Sequence, residues 1–371
     1  MASVPPPLQT EEGVSLGKDA WRRLRKSRVA MLCLGLLIAI FALAFFTPLL
    51  PLQPPDAINT RLQYAAPQFD PLWERTFALD LAAINAATSA DDADVAAQIQ
   101  RPYRDVGFPQ LNGLSRAMVR ARTKLFGEWN LASICGRDEL GRDLLSRVFW
   151  GARISLVVGL VAAAVSLMIG VTYGSIAGYL GGNVDKFMMR FVDVLYSVPF
   201  IFIVIFLLTI LGEERNKKWL ADHGIDRLAI FYLVVGAVYW LTMARVVRGQ
   251  VISLRNEPFV EAAEAMGASQ SRIIARHIFP NLVGIVIVYL TLTIPRVMLF
   301  EAFLSFLGLG VEPPDVSWGL LANEGIKVIT PVKIYWWLIV YPSLALGLTL
   351  FALNFLGDRL RDALDPKLKG R

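Results

Sequence analysis

Asn256-Glu257-Pro258-Phe259-Val260-Glu261-Ala262-Ala263-Glu264-Ala265-Met266-Gly267 lies between two long apolar runs and is itself too polar to cross a membrane. Asn256 and Glu257 are candidate caps, and Pro258 stands where a first helical turn tolerates proline. Ala262, Ala263, Ala265 and Gly267 make the predicted helix slim, while Phe259, Val260 and Met266 give it an apolar stripe. Gly267 can end it, and Ser269 can cap a second helix running through Arg276 to Phe279, which Pro280 stops. A slim, exposed, amphipathic helix between two spans is expected to dock into a groove on a partner. The alternative is a helix lying on the lipid surface.

Working outward, Leu228–Val247 precedes this stretch and Leu282–Leu307 follows it. Each is long enough to cross about 30 Å of hydrocarbon at about 1.5 Å per helical residue. Val29–Leu50, Ile154–Leu180, Phe191–Leu211 and Ile334–Leu356 have the same character. Of the 371 residues, 55% are hydrophobic and only 18% charged, and the mean hydropathy is +0.50, well off the soluble average. A disordered chain, a coiled coil and a nucleic-acid-binding domain are excluded. The net charge of +6 lies largely at the two chain ends, beside apolar runs, so it does not mark a nucleic-acid surface. The expected fold is an all-α polytopic membrane protein with six transmembrane helices and a long external region after the first.

The positive-inside rule then orients the chain. Lys18, Arg22, Arg23, Arg25, Lys26 and Arg28 precede the first run, and Arg359, Arg361, Lys367, Lys369 and Arg371 follow the last. Both termini are expected in the cytoplasm. Segments 181–190 and 248–280 fall inside with them, carrying Lys186, Arg190, Arg248, Arg255, Arg272 and Arg276. Segment 212–227 falls outside yet carries Arg215, Lys217, Lys218 and Arg227; the termini outvote it. Ala42-Leu43-Ala44 resembles a signal-peptidase site, but the apolar run continues through Leu50, so an uncleaved anchor is expected. The chain divides into a cytoplasmic tail (1–28), a first helix (29–50), an external region (51–150), a core (152–357) with its inside loop (251–281), and a second tail (358–371). Within the external region, Pro51-Leu52-Gln53-Pro54-Pro55 reads as extended, Ala78–Gln100 as helical, and Arg116–Lys124 as an exposed or interfacial helix.

Gly170, Gly174 and Gly178 recur every four residues along the second span, a spacing that lets two backbones approach closely. Helix packing within the subunit is the expected use. Arg296 and Glu301 fall at membrane depth in the fifth span, after Pro295. Charge there is costly and is a functional hypothesis by default. Two readings stand side by side: the residues line a translocation path, or they satisfy each other. Arg245 and Arg248 close the fourth span, where snorkelling accounts for them. Cys33 and Cys135 are too far apart in kind and place to suggest a disulfide, and with His223 and His277 they make no metal set.

Several motifs add up to a resemblance. Glu261-Ala262-Ala263-x-x-x-Gly267, followed by Ile274 and Pro280, resembles the EAA loop of binding-protein-dependent ABC importers. Gly136-Arg137-Asp138-Glu139-Leu140-Gly141-Arg142-Asp143, Ser146-Arg147 and Gly151-Ala152-Arg153-Ile154-Ser155-Leu156 are similar to the start of the second span in oligopeptide and dipeptide permeases. Phe303-Leu304-Ser305-Phe306-Leu307-Gly308-Leu309-Gly310 with Pro313-Pro314 and Ser317-Trp318-Gly319 resembles the segment after their fifth span. Asn354-Phe355-Leu356-Gly357-Asp358-Arg359-Leu360-Arg361-Asp362-Ala363-Leu364-Asp365-Pro366 resembles their carboxyl end. The resemblance runs from Gly136 to Leu368 and points to the C-type permease. Two departures stand out: Arg137 replaces the usual Thr, which is expected to change local hydrogen bonding, and the region from about Asp56 to Glu128 is longer than usual, which puts contacts with a binding protein in doubt.

The resemblance implies a type I ABC importer permease fold in the bacterial inner membrane, working with four kinds of partner. These are a homologous B-type permease subunit, two ABC ATPase subunits, a periplasmic or lipid-anchored peptide-binding protein, and the peptide cargo. It implies that Arg255, Phe259, Glu261, Ala262, Ala263, Met266 and Gly267 couple the spans to the ATPases, and that ATP and Mg are bound by those partners, not by this chain. Cargo contacts are expected to be mostly apolar and backbone groups. The chain itself has no Gly-x-x-x-x-Gly-Lys-Ser/Thr stretch to cradle phosphate and no supported Ser-His-Asp set. The rival class is an ion-gradient-driven secondary transporter, which broken helices, inverted repeats or buried carboxylate relays would favour.

Overall fold

The computed structural model describes residues 16–75, 113–127, 129–211, 227–313 and 315–364, together with 213, 215, 216, 219 and 220. The expected helix at Ala78–Gln100, Lys217, Lys218, and the tail residues Lys367, Lys369 and Arg371 lie outside the described residues.

The chain folds as a helical bundle. Helix α1 (Leu16–Lys26) ends at Ser27, whose side chain accepts from the Ala30 N–H and starts α2 (Arg28–Phe46). A short antiparallel pair, β1 (Trp73–Arg75) with β2 (Trp129–Leu131), flanks α3 (Gly113–Phe126). Then come α4 (Leu144–Leu180), α5 (Gly182–Ser197), α6 (Phe200–Leu211), α7 (Arg227–Arg255), α8 (Pro258–Ala265), α9 (Gln270–Phe306), α10 (Trp318–Lys327) and α11 (Trp337–Leu364). Helices α2, α4, α7, α9 and α11 are each long and apolar enough to span; α5 and α6 pass that test only together. Six spans therefore result if the bent pair counts as one. Below, the end of the bundle carrying α8 is the lower end, and the end carrying the start of α4 is the upper end.

The third span departs from expectation. Phe191–Leu211 reads as one continuous apolar helix, but the structure breaks it at Val198-Pro199, bending α5 from α6 by 83°. Pro199 has no N–H to donate and pushes Val198 into extended backbone, at φ −88° and ψ 127°. Helix α5 begins at Gly182, within what reads as an inside loop. The last helix also runs past the expected boundary at Gly357, to Leu364.

The glycine stripe does what close packing requires. A Cβ at Gly174 would lie 2.4 Å from the Ala244 carbonyl oxygen, and one at Gly170 2.6 Å from Met243 Cβ, so α4 and α7 touch backbone to backbone. Their contact continues into a core of Val158, Ala162, Val234, Val235, Val238, Leu241 and Ala244. A second core, on the other side, joins Leu37, Leu156, Met298, Trp318 and Leu353 from α2, α4, α9, α10 and α11. Helix α3 is a correction in part. Arg122 does not face outward: it is buried, donating to the Leu52 carbonyl at 2.7 Å and to Asn130 Oδ1. Burial pulls its guanidinium down to about 10.

Candidate coupling and translocation sites

At the lower end, Glu257 is the N-cap of α8 in extended conformation, with Pro258 in the first turn. The helix ends at Met266, and Gly267 follows at φ +78°, a left-handed conformation that suits glycine. Val260 and Ala263 are buried in a cluster with Tyr179, Val251, Ile273, Ile278 and Leu282. Phe259, Glu261, Ala262, Met266 and Gly267 are exposed, Met266 to 80%. Ala263 is thus turned into its own bundle, 1% exposed, which corrects the expectation that it meets a partner. Arg255, exposed at the end of α7, holds its guanidinium 5.8 Å from the Tyr179 ring centroid. The Tyr179 hydroxyl donates to Glu264 Oε1 at 2.8 Å, tying α8 to α4. The motif alone does not point to Tyr179, because its partner lies 85 residues away. Above it, Arg248 donates to both oxygens of Asp185 at 2.5 and 2.6 Å, joining α7 to α5.

At the upper end, Asp143 caps α4 by accepting from the Ser146 N–H at 2.8 Å. Asp138 accepts from Arg142 and Arg147, each at 2.7 Å, and Arg147 also reaches Glu324 of α10 at 2.5 Å. Arg137 donates to the Gly141 carbonyl at 3.0 Å and pairs across a bridge with Asp143, so its departure from the usual Thr is absorbed within the turn. Nearby Asp56 has its carboxyl raised to about 6 by burial, against the pull of Arg147 and Arg142.

Arg296 and Glu301 do not meet. Helix α9 runs unbroken through Pro295, so five residues place them about 140° apart around the axis at about 100° per residue. Glu301 is fully buried in a cage of hydroxyls. Ser305 donates to its Oε1 at 2.8 Å and Ser155 to its Oε2 at 3.3 Å. Ser155 in turn accepts from the Trp318 N–H, and Ser305 from the Val311 N–H, both at 3.2 Å. Ser317 caps α10 and leans on Ser305 at 3.4 Å. Glu301 is a knot between α4, α9 and α10, which corrects the reading that it lines a path or pairs with Arg296.

Arg296 is exposed, beside a recess formed by Tyr239, Thr242 and Met243 of α7 and Tyr289 and Thr293 of α9. The Tyr196 and Thr242 hydroxyls meet at 2.5 Å, and Phe200 packs on Tyr239 at 5.2 Å between centroids. The break between α5 and α6 therefore opens onto this face.

Residues 170–370 match the family of binding-protein-dependent transport system inner membrane components, and residues 15–67 match the N-terminal transmembrane domain of oligopeptide transport permease C. The chain is 36% identical over 356 residues to the dipeptide transport system permease protein DppC of Bacillus subtilis (strain 168), covering 96% of this chain and 87% of that one. It is 45% identical over 249 residues to the oligopeptide transport system permease protein OppC of Haemophilus influenzae, covering 65% and 75% of the two chains. It is 48% identical over 232 residues to OppC of Escherichia coli (strain K12), covering 62% and 72%. Long spanning helices, a slim exposed helix between two of them, and 36% identity over nearly the whole chain converge: this chain belongs to the binding-protein-dependent transport inner membrane components, within their oligopeptide and dipeptide permease C branch.

Proposed function

We propose that this chain is one of two permease subunits of an ATP-driven importer of peptides, forming with a homologous B-type subunit the path across the bacterial inner membrane. Both termini and α8 lie on the cytoplasmic side, where two separate ATPase subunits bind ATP and Mg; a peptide-binding protein delivers cargo to the upper end. The observation that carries the reading is the division of α8. It buries Val260 and Ala263 against its own spans and leaves Phe259, Glu261, Ala262 and Met266 open on the opposite side. A helix built this way has one face for the bundle and one for a partner, so a push on Met266 is delivered to α4, α7 and α9 through a packed cluster.

A cysteine at Met266 is expected to cross-link to an ATPase subunit in the assembled complex, while one at buried Ala263 is not. Absence of any Met266 cross-link, with assembly intact, overturns the reading. The broken third span alone would suit a gradient-driven transporter. Similarity to a dipeptide permease across 96% of the chain, at 36% identity, outweighs it.

A further inference from the structure

We propose that Arg296 and the hydroxyl-lined recess beside it form a binding site for the free carboxylate of a peptide in transit. The proposal rests on the peptide-import reading above and names the chemistry by which the path holds its cargo.

The first observation is depth. About 15 Å of helix separates Arg296 from the end of α9 at Phe306, so the guanidinium stands well within the span. A charge there cannot face hydrocarbon without a large penalty; it faces a bundle interior, a water-filled space or an opposite charge. Within this chain Arg296 faces none of the first or third kind. It is exposed, and among the described residues its guanidinium has neither a carboxylate at salt-bridge distance nor a hydrogen-bond acceptor; only its carbonyl oxygen is engaged from outside the helix, accepting from the Tyr239 hydroxyl.

The second observation is the company it keeps. Arg245 of α7, by comparison, is already paired with Asp193 at 2.8 Å and lies 3.9 Å from the Tyr196 ring centroid. Arg296 by contrast shares a recess with Tyr239, Thr242, Tyr289 and Thr293. The Tyr239 and Thr293 hydroxyls are spent on the Arg296 and Tyr289 carbonyl oxygens, and Thr242 meets Tyr196, so the open guanidinium with the Tyr289 hydroxyl beside it is what matches a small anion with several acceptor lone pairs, as a carboxylate has.

The third is the backbone. Ser197, Val198 and Pro199, the elbow between α5 and α6, are exposed on this face, where Phe200 touches Tyr239 and Phe300. Non-helical backbone at membrane depth is tolerated only where it is covered by protein or lines a cavity. The exposed elbow therefore marks this face as one that meets protein or a cavity, where a carboxylate can meet Arg296 through charge-assisted hydrogen bonds.

The test uses the complete importer in proteoliposomes with saturating binding protein. Labelled trialanine and its C-terminal amide are compared for wild type, Arg296→Gln and Arg296→Lys. The acid-to-amide uptake ratio of each variant is divided by that of wild type, so the binding protein's own preference cancels. Arg296→Gln is expected to raise the half-saturating concentration of the free acid about tenfold, leave the amide unchanged and leave the melting temperature of the complex unchanged; Arg296→Lys recovers most of the loss. Equal loss of acid and amide overturns the proposal, as does unchanged uptake of both. A fall in melting temperature without discrimination between them assigns Arg296 to a carboxyl of the partner permease instead. No uptake of either peptide by the wild-type complex sinks the import reading itself, which keeps the two failures apart.

Discussion

Replacing Tyr179 by Phe removes one oxygen atom from the contact between α8 and α4 and nothing else. The ring, 5% exposed in the cluster with Val251, Val260, Ala263 and Ile273, keeps its packing, and Arg255 keeps an aromatic face beneath it. What is lost is the hydroxyl's bond to Glu264 Oε1, 2.8 Å long. A hydrogen bond to a charged acceptor contributes roughly 1.5–3 kcal/mol, but Glu264 is open to water, so about 1 kcal/mol is the better figure. That shifts the balance between a seated and a loosened α8 about fivefold. The assay is peptide uptake per ATP hydrolysed by the reconstituted complex, read together with the melting temperature. The ratio is expected to fall severalfold with ATP hydrolysis maintained, and the melting temperature to move by no more than about 2–4 °C. A double variant, Tyr179→Phe with Glu264→Ala, is expected to be no worse than Glu264→Ala alone, because both remove the same bond. Additive effects would falsify the idea that this bond carries force between α8 and the spans, as would an unchanged ratio in the single variant.

Gly174→Ala places a methyl group 2.4 Å from a backbone carbonyl that cannot swing aside, and is expected to lower stability by about 1–3 kcal/mol; Gly249→Ala, with open space around it, serves as the control in the same thermal melt. A melting temperature that falls no further for Gly174 than for Gly249 contradicts the backbone contact between α4 and α7. Asp56 gives a pH test with a definite sign. Its folded value, about 6, is above the ordinary 3.8, so the unfolded chain releases its proton first; stability from this group falls as pH rises from about 4 to about 6 and is level above. Asp56→Asn should therefore match wild type near pH 4 and melt at a higher temperature near pH 7.5, and equal melting at both pH values counts against the burial of this carboxyl.

Much of this molecule is legible in local chemistry. Hydropathy marks all six apolar runs, though not the break in the third, because transfer to hydrocarbon is scored residue by residue, and α8 is legible because Pro258 at its start and Gly267 at its end act within one turn. The glycine stripe, too, announces close packing, though not against which helix. Three features were decided elsewhere. Pro199 breaks its span, while Pro295 and Pro342 sit inside unbroken helices, so proline alone does not say where a chain bends; its neighbours in space do. Glu301 reads as a path residue or a partner of Arg296 until Ser155, 146 positions away, and Ser305, itself held by Ser317, close over it. Ala263 belongs to the same short motif as Ala262, yet one faces inward and the other out. Periodicity separates the faces of a helix, but which face is covered depends on where α4, α7 and α9 lie, and that is a property of the packed bundle and not of any stretch of chain.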